Sequence, residues 1–196
     1  MDVLGALYQG QPELARRLAG EADGLTLAEA AALDEVTRVR ELLDHGGEAD
    51  GRTPDGFTPL HLAAFFGAPR VAAVLLERGA DPGAVAGNPM RVQPLHSAAA
   101  GRHRDIAALL VAAGADVDAR QREGFTPLLA AALHGDVELA RILLAAGADP
   151  ELANDAGVRP AELATQHGHH ELAAEISDAR TGRAAAPRPP GSPAGR

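Results

Sequence analysis

The chain has 196 residues and a formal net charge of −9, because its 18 basic side chains are outnumbered by 27 acidic ones. It has no cysteine, which excludes a disulfide framework, a thiolate nucleophile and a cysteine-ligated zinc site. The acidic balance disfavours nucleic-acid binding through a basic face. The chain start lacks a basic secretory signal, and no apolar stretch approaches the roughly 20 residues that cross a bilayer. We expect a cytoplasmic protein that contacts neither nucleic acid nor membrane.

Residues 1–24 are predicted to form an N-terminal helical cap. A short helix over Val3–Tyr8 is followed by Gly10-Gln11 and a longer helix from Pro12 to Ala19. The leucines of both helices fall on one side, and the polar residues fall on the other. A polar outer side is what the terminal unit of a stacked protein needs.

A pattern of about 33 residues recurs after the cap. Its clearest copies are GFTPLHLAA at 56–64 and GFTPLLAAA at 124–132. Prolines fix the period, because Pro94, Pro127 and Pro160 are 33 residues apart, whereas Pro59 precedes Pro94 by 35. Including one fainter copy at the start, we predict five copies that begin near residues 25, 58, 93, 126 and 159.

Each copy predicts two short helices and a turn. A threonine such as Thr58 can cap the first helix, and a proline follows at the first helical position, where its missing N–H costs nothing. A glycine breaks the chain before the second helix, whose apolar residues recur at helical spacing. A second glycine and an aspartate then end the copy in a turn. One such helix pair cannot cover its own apolar face, so the copies must stack.

The strings DGFTPLHLAAFFG at 55–67 and LLERGAD at 75–81 resemble the ankyrin repeat family, and the resemblance covers roughly residues 25–178. It implies an all-α solenoid, in which helix–turn–helix units stack and are connected by β-turn or hairpin fingers. The inner helices and the fingers would line a concave groove. This sequence departs from the pattern at Asp34 and Arg102, which replace the glycine between the helices, and at Leu129, which replaces His61.

The end of the chain differs in composition from the rest. Residues 180–196 contain four arginines and no acidic residue, and the last 13 are almost wholly alanine, arginine, proline, glycine and serine. Such a segment cannot bury enough apolar surface to offset the entropy of ordering it. We therefore expect residues 180–196 to be a disordered tail and residues 25–179 to be the repeat domain.

Histidines are the only candidates for chemistry. His61 and His96 share one repeat position, and because no acid or nucleophile recurs with them, we expect each ring to tie its own turn to the next loop by hydrogen bonds. His167, His169 and His170 are expected to be solvent-exposed, because adjacent residues do not share a helix face. No motif for catalysis or phosphate binding is present. We expect no enzyme activity, no cofactor and no metal.

Two adjacent aromatic residues, Phe65 and Phe66, mark the candidate binding surface. The resemblance implies that their positions face the groove, where exposed aromatic rings are good interface anchors. Packing of at least one ring against the next inner helix, beside Ala100, is the alternative. The full set of candidate partner-binding residues combines groove and finger positions: Phe65, Phe66, Met90, Arg91, Arg102, His103, Arg120, Arg122, Leu133 and His134.

The leading functional hypothesis is a non-enzymatic, monomeric protein–protein interaction module that binds its partner through the groove and fingers. The alternative is an acidic inhibitory or accessory subunit, comparable to an immunity protein, that masks a basic partner. Strong dependence of binding on ionic strength favours the second hypothesis.

Overall fold

The structure, a computed structural model, describes residues 1–21 and 24–185. Within these residues the chain forms twelve α-helices and one short 3₁₀ turn (Arg122–Gly124), and it contains no β-strand. The helices are α1 (Val3–Tyr8), α2 (Pro12–Glu21), α3 (Leu27–Ala32), α4 (Val36–Asp44), α5 (Pro59–Phe66), α6 (Pro69–Glu77), α7 (Pro94–Gly101), α8 (Arg104–Ala112), α9 (Pro127–His134), α10 (Val137–Ala145), α11 (Pro160–Gln166) and α12 (His170–Ala185).

The helices form two layers. Each odd-numbered helix packs against the next odd-numbered one, from α1 to α11, and this is the inner layer. From α4 onward each even-numbered helix packs against the next even-numbered one, which makes the outer layer. Within a pair, the inner helix also packs against the outer helix that follows it. This arrangement is the predicted all-α repeat solenoid.

The prolines and glycines that the sequence analysis singles out lie at the starts and ends of the inner helices. Four inner helices begin with proline at the first helical position. The hydroxyl of Thr126 accepts a hydrogen bond from the backbone N–H of Leu129 at 3.2 Å, which satisfies one orphan donor of the helix. Gly67 and Gly135 end their helices in the left-handed region, with φ of 78° and 66°.

One apolar cluster runs through the stack from Ala30 to Ile176. Leu75, Leu110 and Leu143 occupy the same phase of three outer helices, and all three lie fully buried in this one cluster. Alanines of the inner helices, among them Ala63, Ala98 and Ala131, are fully buried in this cluster, and their small side chains let neighbouring helices approach closely. The cap has a small cluster of its own around Val3, Ala6 and Ala15.

The fingers are turns that connect one repeat to the next. Three of them are closed by a backbone hydrogen bond at equivalent positions: Thr53 N–H to Phe57 O at 2.9 Å, Gln121 N–H to Phe125 O at 2.9 Å, and Asn154 N–H to Val158 O at 3.0 Å. Neighbouring fingers are also joined by backbone hydrogen bonds: Gly87 N–H to Gly56 O at 2.8 Å, Arg122 N–H to Met90 O at 2.9 Å, and Asp155 N–H to Glu123 O at 2.9 Å. The fingers therefore stack with the same period as the helices.

The last helix is longer than the sequence suggests. The sequence predicts a disordered tail that begins at residue 180, but α12 continues to Ala185, so residues 180–185 are helical. Alanine and arginine favour helix, and the first helix-breaking proline comes only at Pro187. The rest of the predicted tail, residues 186–196, lies outside the described residues. No helix in the described part of the chain combines the length and apolar character that a membrane span requires.

Candidate functional site

Two buried histidines, one on α5 and one on α7, each link their own helix to the next finger. The Nδ1 atom of His61 accepts a hydrogen bond from the backbone N–H of Thr58 at 3.2 Å, so Nε2 carries the proton and donates to Val92 O at 3.0 Å. His96 repeats this arrangement with Gln93 N–H at 3.2 Å and Phe125 O at 3.2 Å. The structural role predicted for both rings is confirmed.

Both rings are held neutral. Burial lowers the pKa of His61 to about 4, and burial likewise lowers the pKa of His96. Both nitrogens of each ring are engaged with the backbone, so neither ring offers a free base. The described residues also contain no group of three or more side chains that could hold a metal ion.

One row of side chains follows the C-terminal ends of the inner helices from one repeat to the next. After each inner helix one residue has a left-handed backbone, and the side chain two positions before that residue belongs to the row. We call these side chains the groove row. They are Tyr8, Ala32, Phe65, Ala100, Leu133 and Gln166, which precede the left-handed Gly10, Asp34, Gly67, Arg102, Gly135 and Gly168. All but Ala32 and Leu133 are exposed.

Three aromatic rings meet at the N-terminal end of the groove row. The ring centroid of Tyr8 lies 5.3 Å from that of Phe66 and 6.3 Å from that of Phe65, and the two phenylalanine rings meet edge to face at 5.1 Å. Tyr8 comes from the cap, and it reaches the second repeat because Ala32, the intervening member of the row, is small. We call these three residues the aromatic ridge.

The aromatic ridge is only partly covered. Tyr8 is 46% exposed and Phe65 is 40% exposed, whereas Phe66 is half-buried. A cleft of about 330 Å³ opens beside Phe66, between the cap and the second repeat, and Leu7 and Leu33 are among its lining residues. The aromatic rings of Phe65 and Phe66 contact each other and the ring of Tyr8 in the cap.

One acidic side chain, Asp55, acts on the aromatic ridge. Burial, and after it the charge of Asp55, raises the pKa of Tyr8. Asp55 is exposed, and no cation of the described residues pairs with it. Arg52, on the same finger, donates instead to the carbonyl oxygens of Gly56 at 3.1 Å and Val85 at 2.7 Å.

The candidate arginines divide into two groups. Arg120 is held between fingers, because it donates to Asp155 Oδ1 at 2.8 Å and to Ala153 O at 2.9 Å. Arg122 lies 3.3 Å from the carboxylate of its neighbour Glu123. Arg91 and Arg102 are exposed and form no ion pair with any described residue.

The remaining candidates lie on fingers and at the ends of inner helices. Met90 is 45% exposed on its finger, and His134 is exposed at the end of α9. Leu133 is half-buried and packs against the core. The His103 ring lies so close to Gly67 that a Cβ at residue 67 would overlap it. Among the ten candidates, Phe65 and Phe66 are the one pair whose aromatic rings are in contact in the described part of the chain.

Tyr8 is the member of this surface that the sequence analysis missed. The sequence does contain a pattern that marks Tyr8, because glycine and proline in Gly10-Gln11-Pro12 have the same spacing as in Gly67-Ala68-Pro69. That alignment puts Tyr8 in phase with Phe65. It was overlooked because the cap lacks the rest of the repeat pattern.

The two stacked helical layers and the repeating fingers define a helical repeat protein. A family model for ankyrin repeats, in three copies, matches residues 4–86 and again residues 95–181. The chain belongs to the ankyrin repeat family. Ankyrin repeats are protein–protein interaction modules, and proteins of this family are generally non-enzymatic.

Individual relatives share the repeats over very different fractions of their length. The cyclin-dependent kinase 4 inhibitor B of Bos taurus is 35% identical over 59% of this chain and 85% of its own length. The neurogenic locus notch homolog protein 4 of Homo sapiens is 44% identical over 46% of this chain but only 4% of its own length. The palmitoyltransferase Hip14 of Drosophila melanogaster is 35% identical over 52% of this chain and 16% of its own length.

Proposed function

We propose that this chain binds a protein partner through its concave groove, with the aromatic ridge as the apolar centre of the interface. The observation that carries the proposal is the gathering of three of the five aromatic residues at one place, with two of them more than one-third exposed. Large aromatic side chains dominate the energetics of protein interfaces, and an exposed cluster of them marks a docking surface.

The other groove and finger residues supply the border of this interface. Leu133 continues the apolar row toward the C-terminal end. Arg91 and Arg102, which have no acidic partner in the described residues, are available for polar contacts, and arginine is enriched at interfaces. Met90 and His134 add contact area at the fingers and helix ends. Arg120, Arg122 and His103 take part while also holding the repeats together.

The groove is rigid enough to bind at low entropic cost. Hydrogen bonds cross each boundary between the five copies at a spacing close to the repeat period: Arg70 to Asp34 at 2.8 Å, Arg122 N–H to Met90 O at 2.9 Å, Asp149 N–H to Asp118 at 2.8 Å, and Arg141 to Glu175 at 2.7 Å. A surface that is ordered before binding loses little conformational freedom when the partner docks.

Affinity capture with matched variants tests the proposal. We would immobilise the native chain, a Phe65→Asp variant and a Leu109→Asp variant, and identify the captured proteins by quantitative mass spectrometry. Leu109 is the control, because it is 36% exposed but lies on outer helix α8. A partner retained by the native and Leu109→Asp chains and lost by Phe65→Asp supports groove binding. Equal capture by all three chains contradicts it.

The second candidate function is an acidic inhibitory or accessory subunit that masks a basic partner. The net charge of −9 favours it, as does similarity to kinase inhibitors that are matched over most of their length. Ionic strength separates the two functions. Affinity that falls steeply with added salt supports charge masking, and affinity that is nearly independent of salt supports the apolar groove.

A further inference from the structure

We propose that the aromatic ridge and the carboxylate of Asp55 form a site for an arginine side chain of the partner, presented on a basic segment. This inference rests on the proposed function and names the chemistry of the partner. It goes beyond groove binding in general, because an apolar surface alone would accept any aliphatic side chain.

The rings supply the first half of the site. Phe65 stands edge to face against Phe66 and keeps 40% of its surface exposed, and Tyr8 keeps 46% exposed on the same ridge. A guanidinium group is planar and weakly hydrated, so it stacks on an exposed ring face and is attracted by the ring quadrupole. The compact ammonium group of lysine lacks this planar contact.

The carboxylate supplies the second half. Asp55 is exposed, and within the described residues it has no cationic partner, while its charge acts on the Tyr8 ring. Two of the cations near the ridge are already engaged. Arg52 is bonded to two carbonyl oxygens, and Arg16 pairs with Glu13 at 2.7 Å.

The surroundings add negative charge on the finger side of the ridge. A cleft of about 530 Å³ lies at the other end of α1, and three acidic side chains line it with one basic side chain: Asp2, Glu29, Glu48 and Arg52. Helix α1 has six residues and rises only about 1.5 Å per residue, so the ridge at its C-terminal end and the cleft at its N-terminal end are close together. A partner segment that spans both regions gains from further basic residues and is disfavoured if it is acidic.

Selection from a display library of random linear peptides, with the full chain as bait, tests the inference without a known partner. Enriched sequences would be synthesised and their affinities measured by fluorescence anisotropy. We expect arginine in the enriched peptides. Changing that arginine to lysine should weaken binding, and changing it to the neutral isostere citrulline should weaken it more, by about three- to thirtyfold.

Variants of the chain locate the bound arginine. Phe65→Ala and Asp55→Asn should each weaken binding of the arginine peptide by about three- to thirtyfold. Asp105→Asn should leave it unchanged, because Asp105 is an exposed carboxylate on outer helix α8. Circular dichroism melts of all variants check that the stack remains folded.

The outcomes separate this inference from the proposed function. Peptides without arginine that still lose affinity in Phe65→Ala overturn the arginine site and support groove docking. Arginine peptides that bind equally well to the Asp55→Asn variant also overturn the arginine site. Peptides that are insensitive to Phe65→Ala, or a library that yields no enriched peptide, count against both proposals.

Discussion

The Asp34 carboxylate accepts hydrogen bonds from two nitrogens of Arg70 in the next repeat, Nε at 3.0 Å and Nη2 at 2.8 Å. Its other oxygen accepts from the backbone N–H of Val71 at 3.3 Å, in the first turn of α6. Asp34 has φ 58° at the position where the second repeat has Gly67. The side chain therefore offsets, through contacts with the next repeat, the strain of its left-handed backbone.

Two substitutions at Asp34 separate these effects. Asp34→Ala keeps the strain and loses both contacts, so it should lower the free energy of unfolding by about 2 kcal/mol. Asp34→Gly loses the contacts but relieves the strain, so the loss should stay below about 1 kcal/mol. Urea unfolding measures both, and Arg70→Ala is the control for the exposed ion pair, with a cost of at most about 1 kcal/mol. Equal losses for alanine and glycine would contradict this balance.

Stability should fall as pH is lowered because of His61. Its pKa in the folded chain is about 4, below the ordinary value near 6.5, so the fold favours the neutral ring. The resulting stabilisation is complete above about pH 6.5 and is lost as pH falls toward 4. The difference of about 2.5 pKa units corresponds to about 3 kcal/mol. Urea unfolding at a series of pH values measures the loss.

His61→Leu is the matched variant, because the fourth repeat has Leu129 at this position. It should be less stable at pH 7, since it loses the bonds to Thr58 N–H and Val92 O. Its unfolding free energy should nevertheless change less between pH 6.5 and 4 than that of the native chain. The same pH dependence in both proteins would show that other groups cause it.

Gln93→Thr should stabilise the chain. The Oε1 atom of Gln93 is buried and has no hydrogen-bond partner in the described structure. Thr58 and Thr126 occupy the equivalent positions in the flanking repeats. Removing the orphan acceptor and adding a capping hydroxyl should raise the unfolding free energy by about 1 kcal/mol. Gln93→Ala removes the acceptor without adding the hydroxyl, so it should gain less. A loss of stability in Gln93→Thr would mean that packing of the longer side chain dominates.

Tyrosine fluorescence should report on the cap and on its contact with the second repeat. Tyr8 is the only tyrosine, the chain has no tryptophan, and the cap has an apolar cluster separate from that of the stack. We expect Phe66→Ala to shift the Tyr8 transition in urea to lower concentration, because it removes an aromatic contact worth about 1 kcal/mol. The helical transition followed by circular dichroism should shift less. Identical shifts in both signals would place the cap and the stack in one cooperative unit.

Most of the fold could be predicted because the repeat signals are local. The four prolines that fix the repeat period each begin an inner helix, and Gly67 and Gly135 have the left-handed backbone that their spacing suggests. The period of 33 residues then implies stacking. The end of α12 could not be predicted in the same way. Alanine and arginine favour helix, but the same residues also occur in exposed tails, so composition alone does not mark where the helix ends.

The surface was harder to predict than the fold. The sequence marks Phe65 and Phe66, but the contact with Tyr8 depends on a small residue, Ala32, in the repeat between them. The sequence also treats all finger arginines alike. Only the structure shows that Arg120 is bonded to the next finger while Arg91 forms no ion pair in the described part of the chain.

Hydrogen exchange of the chain with and without a captured partner tests the central claim most directly. Binding in the groove should protect backbone amides of α1, α5 and the adjoining fingers, including the finger that contains Asp55. The outer helices α6, α8 and α10 should exchange as they do in the free chain. Protection confined to the outer helices, with the ridge region unchanged, would contradict the account.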